Sequence, residues 1–345
     1  MTPRERILTA LAHKTPDRVP RMMGYYVGVS DIVRQRAAPT GLEETFGIET
    51  RVARFEATQR EADFERYLKA LPPNVRVGDL PTLRRYSEWG YAPPGLGGPL
   101  KPEVTPLADA RRHQDIGDYR FPDVTAGDRS QRLKLQVDAW KERGFAVIGH
   151  LPGLGGCLFE TAWRVRGFNR FLRDLTVNKE LPTYLLDQVA AMGASNAAIL
   201  ARSGVDILGL GDDVAEPSRM LLSPKTWGEF FKPRLAEIIR AAKEVNPRIH
   251  VFYHSDGNLE AIIPGLLEVG VDILEPVQPD CMEPEGLKER FGEKLTLWGT
   301  VGSAQTWAHG SPEDMRREVG HRIETLREQG GFIIAPAYDI EPDVP

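Results

Sequence analysis

Residues 249–260 have the sequence Ile-His-Val-Phe-Tyr-His-Ser-Asp-Gly-Asn-Leu-Glu, which changes character in its middle. The first half, through Tyr253, is a run of β-branched and aromatic residues that is typical of a buried strand. The second half leads into an amphipathic helix, with apolar residues at helical spacing. His254 and Asp256 therefore stand where a strand gives way to a helix, and parallel α/β folds bind ligands at that end of their strands.

The same alternation of strand and helix extends over most of the chain. Two early candidate strands cover residues 21–27 and 49–55, and a regular series follows. The later strands are predicted at residues 145–150, 205–210, 248–253, 271–275, 295–298 and 331–336. Eight strands separated mostly by helices indicate parallel pairing with right-handed crossovers. We therefore predict an α/β fold of the (β/α)8 TIM-barrel class.

Residues 56–130 depart from this rhythm. They hold many of the 27 prolines and the segment Pro93-Pro94-Gly95-Leu96-Gly97-Gly98-Pro99, and they sustain no apolar periodicity. We expect an irregular insertion over the carboxyl-terminal face of the barrel instead of a second core. Residues 1–345 are then a single domain.

Composition limits the classes of function. The 345 residues carry 44 Lys and Arg against 49 Asp and Glu, with no basic block, which argues against nucleic acid as a partner. No apolar run approaches the roughly 20 residues of a membrane helix, and residues 2–13 predict a charged helix instead of a signal peptide. The two distant cysteines, Cys157 and Cys281, form no disulfide framework, so we expect a cytoplasmic protein. A homodimer is one arrangement that the sequence allows.

Polar side chains are predicted at the carboxyl ends of most strands. They are His150, Asp212, Asp213, His254, Asp256, Glu275, Gln278, Thr300, Tyr338 and Asp339. Barrel enzymes assemble their sites from such positions. The set suits a divalent metal with nitrogen and oxygen ligands, or acid–base chemistry by His254 with carboxylate partners. Because His254 and Asp256 are two positions apart, they point to the same side of an extended segment and can share a metal ion or a substrate.

Several of these residues also have a purely structural interpretation. His254 can be a buried, hydrogen-bonded histidine, and Asp256 can cap the helix that follows. We assign Asp213 and Asp339 to helix caps, and Cys281 to a small loop residue instead of a soft metal ligand. The joint arrival of His, Asp and Glu at several strand ends favours a site.

The order of several short motifs resembles the uroporphyrinogen decarboxylase superfamily of (β/α)8 barrels, which includes tetrapyrrole decarboxylases and cobalamin-dependent methyltransferases. The resemblance extends over nearly the whole chain. Its motifs are Thr2-Pro3-Arg4-Glu5-Arg6, Pro16-Asp17-Arg18-Val19-Pro20, Phe159-Glu160-Thr161-Ala162-Trp163, Arg166-Gly167-Phe168, Gly211-Asp212-Asp213, Leu222-Ser223-Pro224, His254-Ser255-Asp256-Gly257, the segment from Asp272 to Gln278, and Ile340-Glu341-Pro342-Asp343-Val344-Pro345.

Two departures from the family pattern disfavour porphyrinogen decarboxylation. The decarboxylases carry an arginine-rich stretch after the first proline, whereas this chain has Pro20-Arg21-Met22-Met23-Gly24-Tyr25-Tyr26, with one arginine. A substrate with eight carboxylates needs more positive charge, because a desolvated carboxylate without a cationic partner is costly. The histidine of the decarboxylases' final strand is replaced by Tyr338.

The pattern that remains resembles the branch that moves methyl groups from methoxylated compounds to a corrinoid protein. The thiol-methylating branch binds zinc through a His-x-Cys pair and a further cysteine, which are here His254-x-Asp256 and Tyr338. The resemblance implies a small-molecule methyl donor, a corrinoid carried by a partner protein, and a divalent metal such as zinc at His254 and Asp256. The implied catalytic residues are His254, Asp256, Glu160 and Tyr338, and the implied substrate-binding residues are His150, Asp212, Glu275 and Gln278. A decarboxylase and a non-catalytic protein that binds a tetrapyrrole or an aromatic compound are the alternatives.

Overall fold

Parallel strands form a curled sheet at the centre of the computed structural model, which describes residues 1–23, 42–56, 88–91, 104–302, 304–338, 340 and 344. The strands of the described residues are β1 (Thr50–Ala53), β2 (Ala146–His150), β3 (Ile207–Gly211), β4 (Ala215–Glu216), β5 (Arg219–Met220), β6 (His250–His254), β7 (Ile273–Glu275), β8 (Thr296–Trp298) and β9 (Phe332–Ile333). β4 and β5 pair with each other as a separate antiparallel hairpin. The other seven form the sheet in sequence order, as a (β/α)8 series requires.

The segment of residues 20–22 lies between the two edge strands of this sheet. The backbone N–H of Met22 donates to the carbonyl of Ile334 at 3.0 Å, and the N–H of Ile334 donates to the carbonyl of Pro20 at 2.9 Å. On the other side, the N–H of Glu49, just ahead of β1, donates to the carbonyl of Arg21 at 3.3 Å. The start of the predicted strand 21–27 therefore joins both edges in the place of an eighth strand. Residues 24–27 lie outside the described residues.

The crossovers between strands are helical. The helices of the described residues are α1 (Pro3–Leu11), α2 (Leu42–Thr45), α3 (His113–Gly117), α4 (Arg129–Glu142), α5 (Phe159–Arg166), α6 (Phe168–Val177), α7 (Glu180–Ser203), α8 (Pro224–Phe230), α9 (Lys232–Val245), α10 (Ile263–Val269), α11 (Pro284–Phe291), α12 (Ala304–His309) and α13 (Pro312–Leu326). α5 and α6 are separated at Gly167, whose φ of +91° interrupts the helix. α8 and α9 are separated at Phe231, ahead of Pro233, which has no N–H to continue the hydrogen-bond ladder. None of the described helices combines the length and apolar character needed to cross a bilayer.

The barrel interior is closed at its amino end by α1. Ile7 and Leu11 of this helix pack in one buried cluster with inward-facing strand residues such as Phe252 and Trp298. Thr2 caps the start of this helix and forms a capping box with Glu5. With that end filled, the carboxyl end of the strands is the face that can hold a ligand.

Residues 88–91 and 104–130 are the described parts of the predicted insertion. Trp89, Leu107, Ile116 and Val124 are buried and belong to the main hydrophobic core, so these parts have no core of their own. Glu88, Trp89 and Val124 also line a cavity at the carboxyl end of the barrel. The described parts thus lie over the face that the sequence predicted, and the rest of 56–130 falls outside the described residues.

Candidate active site

A cavity of about 380 Å³ lies at the carboxyl ends of β2, β3 and β6. Among the predicted site residues, His150 and His254 line it. Its apolar walls include Phe55, Trp89, Leu151 and Leu210, and its charged wall residues include Arg54, Glu88 and Arg129. A volume of this size falls within the range of small-molecule sites, roughly 300–1,000 Å³.

Two glycines of β3 make room for the two histidines. A Cβ on Gly209 would lie 2.6 Å from Nδ1 of His150, and a Cβ on Gly211 would lie 2.7 Å from Cβ of His254. Real atoms cannot approach so closely, so a side chain at either position would displace the neighbouring histidine. The alternation of glycine and leucine in β3 therefore makes room for the ring of His150 and for the Cβ and backbone of His254.

His254, the last residue of β6, is held by a carboxylate from the adjacent strand. The register pairs His254 with Glu275 of β7, and Nδ1 of His254 donates to Oε2 of Glu275 at 2.7 Å. Nε2 lies 3.6 Å from Oδ1 of Asp213, beyond hydrogen-bond distance. Burial opposes the charged imidazolium, but the nearby charges of Glu275 and Asp213 outweigh it and raise the pKa of His254 to about 10. The imidazole is therefore protonated at neutral pH and presents Nε2–H as a donor.

Asp256 lies beside His254 although the strand ends at His254. Its backbone N–H donates to Oδ1 of Asp213 at 3.0 Å, and one of its carboxylate oxygens accepts from Nε2 of Gln278 at 2.8 Å. Oε1 of Gln278 accepts from the N–H of Gly257 at 2.8 Å. Gln278 is 4% exposed, so the structure places it as a support for the His254–Asp256 loop and not in the wall of the cavity.

Asp213, His254 and Asp256 can offer ligand atoms that all lie within 4.8 Å of one another. Two carboxylates and one imidazole fit a divalent cation that prefers oxygen and nitrogen donors, and this group contains no thiolate. The carboxylate of Glu275 on Nδ1 of His254 corresponds to the outer partner that orients metal-binding histidines. The donor chemistry of these residues therefore fits the metal that the family resemblance implies.

Asp212 is directed away from the cavity. Its buried carboxylate accepts from the backbone N–H groups of Leu158 at 3.0 Å and Glu160 at 2.9 Å, and from the thiol of Cys157 at 3.3 Å. These amides belong to the start of α5, where a helix leaves N–H groups without partners. Burial, with the charge of Glu160 adding to it, raises the pKa of Asp212 to about 7. The structure thus gives Asp212 an anchoring position, whereas the sequence predicted a substrate-binding one.

Glu160 connects α5 to the same loop. Its Oε2 accepts from the backbone N–H of Asp213 at 3.3 Å, and its Oε1 forms an ion pair with Arg164 at 2.9 Å. Burial and the charge of Asp213 raise the pKa of Glu160, and Arg164 acts in the opposite direction. Glu160 therefore contacts Asp213, and Asp213 in turn lies next to His254.

His150 ends β2 and faces the cavity with no hydrogen-bond partner among the described residues. Its ring meets that of Phe252 edge to face, with centroids 6.0 Å apart. Burial, together with the positive charges of Arg54 and His254, lowers the pKa of His150 to about 3. The two imidazoles of the cavity are therefore in opposite states, His254 charged and His150 neutral.

Tyr338 is paired with Asp280 and is not among the residues that line the cavity. Its hydroxyl donates to Oδ2 of Asp280 at 3.2 Å, and burial, with the charge of Asp280 second, raises its pKa. Cys281 is half-buried, and its carbonyl accepts from Asn258, as suits a loop residue. Asp339 falls outside the described residues.

The sequence assignment of Asp213 to a helix cap is wrong. The hairpin of β4 and β5 follows Asp213, and the next helix begins only at Pro224, so there is no helix for it to cap. That long interval before residue 224 was the available signal. Trp89 and the pair of Glu88 with Arg129 were also missed as cavity residues, because they lie in the aperiodic insertion.

Comparisons with known proteins agree with the fold. No curated protein sequence matches the chain. The solved structure of a methyltransferase from Methanosarcina mazei is similar over 100% of this chain and 95% of its own, with a TM-score of 0.64 and 19% identity. A 2,3-dimethylmalate lyase of the PEP mutase/isocitrate lyase superfamily covers 97% of this chain and 80% of its own at a TM-score of 0.38 and 11% identity, which is too low to support an argument.

A family model gives the assignment. The model of uroporphyrinogen decarboxylase (URO-D) matches residues 134–345, which is more than half of the chain. The matched range contains β2, β3 and β6, and with them His150, Asp213 and His254. The chain belongs to the uroporphyrinogen decarboxylase family.

Proposed function

We propose that this protein is a methyltransferase that moves a methyl group from a methoxylated or methylated small molecule to a corrinoid carried by a partner protein. The observation that carries the proposal is the setting of His254. Its Nδ1 is held by Glu275 at 2.7 Å, while Nε2 has no hydrogen-bond partner among the described residues. Membership in the family, which includes methyltransferases, supports the same reaction class.

His254 suits the proton transfer that this reaction needs. When an O–CH3 bond breaks, the electron pair stays on oxygen, and that oxygen leaves best as a hydroxyl. Because Glu275 and Asp213 raise the pKa of His254 to about 10, Nε2 carries a proton at neutral pH. The proton moves from Nε2 to the leaving oxygen while the methyl group passes to the corrinoid, and such acid catalysis contributes roughly 10²–10⁴-fold.

A divalent metal is an alternative means of polarising the same oxygen. Asp213, His254 and Asp256 would hold it, and it would supply Lewis-acid polarisation. A metal held by these residues would take the place of the proton on His254, so His254 would serve one role or the other in a given turnover. The cavity of about 380 Å³ suits a small methyl donor and is far smaller than a corrinoid, which agrees with a corrinoid presented by a partner.

Charge continues to disfavour uroporphyrinogen as the substrate. Arg21 lies against Gly47, ahead of β1, and is not among the cavity residues. Arg129 does line the cavity, but it forms an ion pair with Glu88 at 3.1 Å. Arg54 also lines the cavity, but two arginines are too few to balance the eight carboxylates of this substrate.

The test is methyl transfer by the purified protein under anoxic conditions, with a panel of methyl ethers and free cobalamin reduced to the cobalt(I) state. We expect the demethylated hydroxyl compound and methylated cobalamin to form in equal amounts. Uroporphyrinogen supplied in parallel should remain unchanged. Conversion of uroporphyrinogen to coproporphyrinogen, with no transfer from any ether, would contradict the proposal and favour a decarboxylase.

A further inference from the structure

The cavity contains a second imidazole that the proton transfer does not use. His150 at the end of β2 and His254 at the end of β6 lie on either side of β3, and both line the same cavity of about 380 Å³. The ring of His150 lies against Gly209, and Cβ of His254 lies against Gly211. A small molecule in this cavity can therefore contact both histidines.

The two rings have different partners. Nδ1 of His254 is occupied by Glu275 at 2.7 Å, whereas His150 has only the edge-to-face contact with Phe252 and no hydrogen bond among the described residues. A neutral imidazole has one nitrogen that accepts and one that donates. Burial next to Arg54 and His254 keeps His150 neutral, since protonation would add a third positive charge. An accepting nitrogen that lines a cavity is available to a ligand that supplies a donor.

We propose that His150 selects the methyl donor by accepting a hydrogen bond from a hydroxyl or similar donor group close to the methylated atom. This inference rests on the proposed function, because it assigns the methylated oxygen to His254 and the neighbouring group to His150. His150 transfers no proton itself and acts as a specificity-determining residue. The apolar walls formed by Phe55, Trp89 and Leu210 would cover the carbon skeleton between the two polar groups.

The test is direct binding, measured by calorimetry on the full-length protein without any corrinoid. The probes are 2-methoxyphenol and methoxybenzene, which differ by one hydroxyl group. We expect the protein to bind 2-methoxyphenol about 10-fold more tightly, as one hydrogen bond warrants. His150→Phe, which keeps a ring of similar size but has no acceptor, should bind the two probes equally. His150→Gln, whose amide oxygen can accept, should recover part of the preference.

The outcomes separate this inference from the proposed function. The inference is wrong if the protein binds both probes equally, if it fails to bind 2-methoxyphenol at millimolar concentration, or if His150→Phe keeps the preference. Melting temperatures of both variants show whether they are folded. A preference that depends on His150, without methyl transfer from any ether, would leave the inference standing and reject the proposed function. Methyl transfer combined with an unchanged preference in His150→Phe would support the proposed function and reject the inference about His150.

Discussion

Two histidines of β6 have the same local chemistry in different surroundings. Nδ1 of His250 lies 2.9 Å from Asp272, and Nδ1 of His254 lies 2.7 Å from Glu275, so both rings are held by a carboxylate from the neighbouring strand segment. His250 begins β6 at the end of the barrel that α1 closes, whereas His254 ends it at the cavity. The same type of histidine–carboxylate pair is therefore structural at one end of β6 and available for chemistry at the other end.

Removing the charge of Glu275 should lower the pKa of His254. In Glu275→Gln the amide oxygen can still accept from Nδ1, but the negative charge that opposes the effect of burial is gone. We expect the titration of the His254 ring nitrogens, followed by NMR, to move down from about 10. A titration that is unchanged in the variant would mean that Glu275 does not set the protonation state.

The same change should alter how stability depends on pH. A histidine whose pKa is raised in the folded state stabilises the fold fully below its unfolded pKa of 6.5, and this stabilisation is lost as pH rises through about 10. Denaturant unfolding at pH 6 and at pH 9.5 should therefore show a smaller loss of stability in Glu275→Gln than in the unmodified protein.

β3 controls the shape of the cavity through its two glycines, Gly209 and Gly211. In Gly211→Ala, the new methyl group would lie 2.7 Å from both Cβ and the carbonyl oxygen of His254. We expect this overpacking to cost about 1–3 kcal/mol of folding free energy and to reduce methyl transfer by shifting His254.

The matched control is Gly320→Ala in α13, where an added Cβ would meet nothing within 4 Å. This substitution should leave methyl transfer unchanged and stabilise the fold by about 0.4–1 kcal/mol. Chemical denaturation measures the folding free energy of the two variants, and rate measurements give their methyl transfer activity. Full activity in Gly211→Ala would show that the position of His254 does not depend on close packing against β3.

The two ends of the barrel carry different kinds of charge pair. At the amino end, Arg4 donates to both carboxylate oxygens of Asp206 at 2.8–3.2 Å, and Asp206 also accepts from the N–H of Val147 at 3.1 Å. These bonds tie α1 to the strands. At the carboxyl end, the carboxylates surround one histidine and no arginine is paired with Asp213 or Glu275 among the described residues.

Asp206→Ala should therefore affect stability and not chemistry. It leaves the N–H of Val147 without its acceptor and Arg4 without its partner, which should cost about 1–3 kcal/mol of folding free energy. Arg4 is partly exposed, so the ion pair adds little to this figure. Methyl transfer per folded molecule should stay constant, as judged by rates corrected for the folded fraction. A loss of rate in a folded variant would show coupling between the two ends of the barrel.

The sequence could predict the barrel and the strand ends at which the candidate site lies, but not the contacts within that candidate site. Apolar runs and helical periodicity predict the strand β6, and they place His254 at its carboxyl end. The bond from His254 to Glu275 depends on the register between β6 and β7, which no local pattern encodes. Asp213 was misassigned because β4 and β5, of two residues each, are too short to show a period. The contact of Asp212 with the amides at the start of α5 is likewise a tertiary contact that no local pattern encodes.

The role of His254 as the acid can be tested by comparing methyl transfer rates in His254→Gln and His250→Gln. Both variants lose an imidazole of β6 that is held by a carboxylate, so both should lose stability. We expect the rate per folded molecule to fall roughly 10²–10⁴-fold in His254→Gln and to be unchanged in His250→Gln. Normal transfer by folded His254→Gln, or equal losses in the two variants, would contradict this role.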